Sequence, residues 1–176
     1  MKLHLGCGSK FIPGFVHVDL LEHPHIDFRV PVNRLTFAQD KSVELIYASH
    51  VLEHFGRNEV DQVLQEWFRV LKDGGILRIA VPDFEAVSYR YQKTGELQEL
   101  IGLVSGGQRN EYDYHKMVFD EKLLREKLLC AGFISVSRYD WRATDHAWMD
   151  DYSQAYLPHM DKEHGQLMSL NVEAVK

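Results

Sequence analysis

Two short stretches decide the fold: Lys2-Leu3-His4-Leu5-Gly6-Cys7-Gly8, and Phe15-Val16-His17-Val18-Asp19-Leu20 shortly after it. The first is a strand-like run that stops at a Gly-x-Gly turn. The second is another strand-like run that closes on an acidic residue. Glycines after a strand let the backbone approach a ligand that a Cβ would hold away. In an open parallel sheet, ligands sit outside the carboxyl ends of the strands, where a strand-terminal Asp can accept hydrogen bonds from ribose hydroxyls. A full dinucleotide fingerprint would read G-x-G-x-x-G and open a helix. Here the run is Gly6-Cys7-Gly8-Ser9-Lys10-Phe11, and Pro13-Gly14 breaks any long helix before the next strand. No helix N-terminus is then offered to a pyrophosphate, which counts against a nicotinamide-dependent oxidoreductase.

Working outward, Val43–Ala48 and Ile76–Val81 are further near-continuous apolar runs, as expected of strands buried on both faces. Between them, Val60, Val63, Leu64, Trp67, Phe68 and Leu71 recur at spacings of three and four and predict an amphipathic helix. Asn58 is placed to cap it, and Gly74-Gly75 to end it. After Pro82, Asp83 is placed to cap a helix running to about Lys93. A further helical piece is expected near Glu96–Ser105, and Asp120 caps another over Glu121–Ala131. Ile134–Tyr139 and Ser169–Val175 read as strands. The pattern predicts an α/β fold: one Rossmann-like, doubly wound domain over residues 1–176, mostly parallel with an antiparallel C-terminal strand. Residues 140–165 are too long for a hairpin turn and rich in aromatic, Asp and His residues, so they read as a loop or lid insertion.

Composition narrows the function. Hydrophobic residues make up 45% and charged residues 26%, the balance of a soluble domain. The formal charge of −6, with no Lys/Arg stripe, argues against nucleic acid as partner and for a small-molecule substrate. No apolar run reaches the roughly 20 residues of a membrane span. Met1–Gly6 enters a strand directly without a signal-like stretch, so a cytoplasmic protein is expected. Cys7 and Cys130 are far apart and read as free thiols. Nothing in the sequence sets an oligomeric state.

Four motifs in order resemble the class I S-adenosylmethionine (SAM)-dependent methyltransferases, and within them the small type 11-like predicted methyltransferases associated with sugar and cell-surface biosynthesis. They are Leu3–Gly8, Gly14–Leu20, Ala48-Ser49-His50-Val51-Leu52-Glu53-His54-Phe55, and Arg69-Val70-Leu71-Lys72-Asp73-Gly74-Gly75. Tyr114-His115-Lys116, Phe119-Asp120 and Ala131-Gly132-Phe133 extend the resemblance more weakly. It implies SAM as cofactor, with Gly6, Cys7 and Gly8 around the methionine part and Asp19 on the ribose hydroxyls. It also implies Leu20 against the adenine, and Ser49 and His50 lining the methionine end. One departure stands out. Where the family often carries an acidic residue for the adenine amino group, this chain has Pro31, which leaves adenine to apolar contacts such as Val32.

The catalytic half reads less sharply. His50, at a strand's carboxyl end, and His115, in Tyr112-Asp113-Tyr114-His115-Lys116, are candidate catalytic residues, His115 as general base; His159 is a secondary one. His50 and His54 are spaced to share a helix face, but Glu53 is misplaced for the zinc-protease pattern, and no metal is expected. The expected function is methyl transfer from SAM to a small polar acceptor, such as a sugar or cell-surface precursor. The alternatives are an NAD(P)-binding oxidoreductase, a non-catalytic SAM-binding module, and a metallohydrolase using the histidines.

Overall fold

A computed structural model describes all residues, 1–176. The chain runs β1 (Lys2–Leu5), β2 (Val16–Val18), β3 (Val43–Ser49), α1 (Val60–Val70), β4 (Leu71–Pro82), α2 (Phe84–Thr94), α3 (Ile101–Ser105), α4 (Glu121–Cys130) and β5 (Ser135–Arg138). A two-stranded ribbon, β6 (Tyr156–Leu157) and β7 (Gln166–Leu167), precedes the last strand, β8 (Ser169–Val175). Six strands form the main sheet in the order β2-β1-β3-β4-β8-β5. The first four are mutually parallel, and β8 runs antiparallel between β4 and β5. This is the mixed, mostly parallel sheet expected, with its antiparallel C-terminal strand.

Strand alternation sorts the sheet into two unlike faces. Leu3, Ile46, Leu77, Ala174 and Val136 lie side by side in register, as do Leu5, Ala48, Ile79 and Val172. These residues belong to the main core, which the apolar stripes of α1 (Val63, Leu64, Trp67) and α4 (Leu124, Leu128) complete. The opposite face carries His4, Tyr47, Arg78 and Glu173 in register. Residues from 140 to 165 cover it. Met149 packs on Tyr47 and Ile12, His146 approaches Arg78, and Ser153 holds Asn171 through its carbonyl.

Local details differ from expectation. α1 begins after Glu59 rather than Asn58, and the Glu59 carboxylate accepts the Gly56 N–H at 2.8 Å. Its last residue is Val70, and β4 starts at once. Residues 72–75 then form an irregularity that moves the β3 pairing from Val43↔Leu71 to Leu45↔Ile76. The Gly pair thus bends a strand instead of ending a helix. The helix expected near Glu96–Ser105 is reduced to the single turn of α3, because residues 95–99 are exposed and bury no stripe. Asp83 and Asp120 cap α2 and α4 as read, accepting N–H groups of Glu85 and Leu123. No helix is long and apolar enough to cross a membrane.

Candidate active site

The carboxyl ends of β1, β2 and β3 lie side by side and bring the Gly-x-Gly turn, Asp19 and the Ser49-His50 corner to one edge of the sheet. Gly6 and Gly8 both adopt left-handed backbone, at φ +59° and +52°. A Cβ on Gly6 would lie 2.5 Å from a Val51 methyl, so the residue after the strand is tied to the loop that follows β3. In front of Gly8 a Cβ would meet nothing within 4 Å, so the turn faces open space. Asp19 joins the two loops: its Oδ2 accepts the Gly8 N–H at 2.7 Å and its Oδ1 the Leu21 N–H at 2.8 Å. Each oxygen keeps a further lone pair for a hydroxyl donor. Between β1 and β2 there is no helix at all, so nothing here presents a helix N-terminus to a pyrophosphate.

The other predicted contacts fall unevenly. Cys7 is turned inward with its Sγ toward the Val18 carbonyl, and burial and Asp19 push its thiol up to about 12. Only its backbone is free to face a ligand. Leu20 is 36% exposed beside Asp19. Val32 sits in the core, and its carbonyl accepts the Trp67 indole N–H at 2.9 Å. Phe28, absent from the sequence reading, bridges to Val18 and accepts the Asp19 N–H through its carbonyl. Its ring stacks on Phe37 at 3.9 Å. An isolated aromatic in a polar loop was the only sign of it. The Ser49 hydroxyl is buried without a partner.

His50 is one of four non-glycine residues at positive φ (54°), and its N–H is held by the Ala80 carbonyl. Its Nε2 lies 3.1 Å from Ser169 Oγ, and Tyr152 of the covering segment packs 5.3 Å from its ring. Burial, with His115 and His54 nearby, lowers its pKa to about 3, so the ring is neutral at pH 7. His115 is brought to this corner by its neighbours: the N–H groups of Lys116 and Met117 donate to the Glu53 carbonyl. Its Nδ1 lies 2.9 Å from the Leu103 carbonyl, and its Nε2 3.8 Å from a Glu53 oxygen. A carbonyl only accepts, so Nδ1 carries the proton and Nε2 the lone pair. Burial also lowers the His115 pKa. His159 is exposed in the turn after β6, and no hydrogen bond links it to the corner. Glu53 is fully buried, and desolvation raises its carboxyl to about 8.

Two clefts lie elsewhere. One, of about 230 Å³, is lined by Lys2, Phe15, Arg78, His146 and Trp148 among others; the second lies between Phe84 and Arg125. Neither includes Gly6, Asp19 or His50. The site at the strand ends is flanked by loops exposed at Ser9–Phe11 and Leu20–Glu22.

Residues 16–79 match the family described as a methyltransferase domain. No curated protein matches the sequence. Among solved structures, the chain is similar to a SAM-dependent methyltransferase from Thermotoga maritima described as a possible histamine N-methyltransferase. The TM-score is 0.62 at 16% identity, over 99% of this chain and 81% of that one. It is also similar to the 1,6-didemethyltoxoflavin-N1-methyltransferase of Burkholderia thailandensis, whose structure holds 1,6-didemethyltoxoflavin and S-adenosylhomocysteine. There the TM-score is 0.58 at 17% identity, over 99% and 70% of the two chains. A SAM-dependent methyltransferase from Mesorhizobium loti gives 0.58 at 17% identity, over 99% and 90%. The chain has the fold of the SAM-dependent methyltransferases, and its residues 16–79 match a methyltransferase domain. SAM is the cofactor of the methyltransferases with which it shares this fold.

The residues present fit that group. The Gly6–Gly8 turn opens onto space, Asp19 retains acceptor capacity, and the Ser49 hydroxyl at the end of β3 has no partner. When bound, SAM supplies a methyl carbon already activated by its sulfonium.

Proposed function

We propose that this chain methylates a small polar acceptor, such as a sugar or a cell-surface precursor, in the cytoplasm. The observation that carries the cofactor half is the Gly8 N–H to Asp19 hydrogen bond. It locks the Gly-x-Gly turn onto the strand-terminal carboxylate, so both groups meet one ligand together. In this reading Gly6, Cys7 and Gly8 surround the methionine part through backbone, and Asp19 accepts from the ribose hydroxyls. Leu20, with the edges of Val32 and Phe28, takes the adenine, which explains how the site manages with Pro31. Ser49 and His50 close the methionine end. The acidic charge of the chain supports a small acceptor over nucleic acid.

The chain's own part in the chemistry is mostly alignment: holding the acceptor oxygen or nitrogen in line with the departing sulfur at near-attack distance. His115 is the better proton acceptor, because its Nε2 carries the lone pair. His50, buried and tethered to Ser169, is suited to positioning. Exposed His159 keeps only a secondary role. Isothermal calorimetry with SAM and S-adenosylhomocysteine tests the cofactor half. Wild type should bind both, and Asp19→Ala should lose at least about tenfold, the worth of a charge-assisted hydrogen bond. Absence of binding by folded wild-type protein would overturn the reading.

A further inference from the structure

Glu53, His54 and His115 form a second chemical feature at the edge of this site. Glu53 comes from the short turn Leu52–His54 after β3, and His115 from a loop some sixty residues on. One ligand atom from each of the three lies within 4.8 Å of the others. The Glu53 side chain is fully buried, and neither carboxylate oxygen has a hydrogen-bond partner. A buried carboxyl group left without a donor is costly unless a partner supplies positive charge or protons.

The two imidazoles are pre-set in one sense. His54 Nδ1 lies 3.1 Å from the Tyr114 carbonyl, and His115 Nδ1 lies 2.9 Å from the Leu103 carbonyl. Both carbonyls can only accept, so each ring holds its proton on Nδ1 and keeps its lone pair on Nε2. A backbone carbonyl on the far nitrogen is how metal-ligating histidines are usually oriented. The two rings meet edge to face at 4.9 Å. His50 Nδ1 stands 3.4 Å from a Glu53 oxygen, ready to orient that carboxylate. No lysine or arginine pairs with Glu53.

We propose that Glu53, through its carboxylate, and His54 and His115, through Nε2, bind a divalent first-row transition ion. The donor set of two imidazoles and one carboxylate suits Zn²⁺, Mn²⁺ or Fe²⁺ rather than Mg²⁺ or Ca²⁺. Bonds of about 2.0–2.2 Å to a tetrahedral ion place ligand atoms about 3.4 Å apart, so the three groups close by roughly an ångström on binding. Only three ligands come from the chain, which leaves a position for a water or an acceptor hydroxyl. An ion there lowers the pKa of that hydroxyl and removes the need for a free base. This last role rests on the methyltransferase reading, and it converts His115 from base to ligand; binding of the ion itself does not depend on that reading.

The test uses the whole chain, stripped with a chelator, equilibrated with ZnCl2, MnCl2 or CoCl2, desalted and assayed by elemental analysis. The expected result is about one ion per chain for at least one metal, with a ligand-field absorption band for the Co²⁺ form. Glu53→Gln and His54→Ala should each weaken binding by at least about tenfold. The double variant of His23 and His25 to Ala, in a separate histidine pair stacked at 5.8 Å, should bind as wild type. Wild type that retains none of the three ions overturns the proposal. So does undiminished binding in a Glu53→Gln chain whose circular dichroism is native, or loss of binding in the His23/His25 variant. Calorimetry with S-adenosylhomocysteine on the same stripped protein reads the cofactor site separately, so failure of one site is not mistaken for failure of the other.

Discussion

The two faces of the central sheet bury similar positions by opposite means. On one, Leu3, Ile46, Leu77 and Ile79 meet the apolar stripes of α1 and α4, and nothing but shape has to match. On the other, the segment that covers His4, Tyr47 and Arg78 meets most polar groups with polar partners, and leaves His4 Nδ1 and the Tyr139 hydroxyl unpartnered. Asp151 accepts from the Tyr47 hydroxyl, His146 faces the Arg78 guanidinium at 3.1 Å, and Asn171 donates to the Ser153 carbonyl at 2.8 Å. The apolar face tolerates no hole, because transfer and cavity terms add. On the polar face each missing partner is costly, because an unsatisfied buried group keeps its desolvation cost. One further difference follows: only the polar face titrates.

The comparison can be broken at the apolar face first. Trp67 is fully buried there, with its indole N–H on the Val32 carbonyl. Trp67→Ala should cost about 3–5 kcal/mol in urea unfolding at pH 7. A loss under about 1 kcal/mol would mean that α1 does not carry the core.

The next effect is acid sensitivity on the polar face. Burial, with His17, His146 and His25 nearby, lowers the His4 pKa from 6.5 to about 3. The unfolded chain therefore takes up this proton first as pH falls. Stability is present above pH 6.5 and drains away down to about pH 3, by up to a few kcal/mol, at ~1.4 kcal/mol for each factor of ten. His50 is depressed to about 3 as well and adds in the same sense. His4→Leu should flatten the acid limb of a stability-versus-pH curve while leaving pH 7 stability nearly unchanged. An acid limb of unchanged steepness would remove His4 from the account.

The smallest effect sharpens the contrast at a single bond. Tyr47→Phe removes the hydroxyl that Asp151 accepts from. Asp151 keeps the N–H and O–H of Ser153, at 2.8 and 2.6 Å. The loss should be about 1 kcal/mol, and chiefly local, seen as faster amide exchange over residues 141–154. A uniform rise in exchange across α1 and α4 would show that the two faces are not separable.

Much of this was legible in the chain. Lys2–Leu5, Val43–Ala48 and Ser169–Val175 became strands because each is a short run with apolar residues on at least one face, and caps such as Asp83 and Asp120 act within three residues of their own position. The reading went astray where a long-range contact overrode a local signal. Gly74-Gly75 looks like a helix stop, yet pairing with the C-terminal residue, through Gly74 N–H to the Lys176 carbonyl at 2.7 Å, makes it a bend in β4.

At the site the same division holds. By itself the sequence determined the strand-end Gly-x-Gly turn, the Asp that closes the next strand and the absence of a phosphate-binding helix, because these depend on backbone geometry within a few residues. Only the tertiary structure decided that Asp19 is bonded to the Gly8 N–H, that His50 rests on Ser169, and that Glu53 and His54 face His115. Those meetings join residues far apart along the chain, and sequence spacing carries no distance between them until the sheet is assembled.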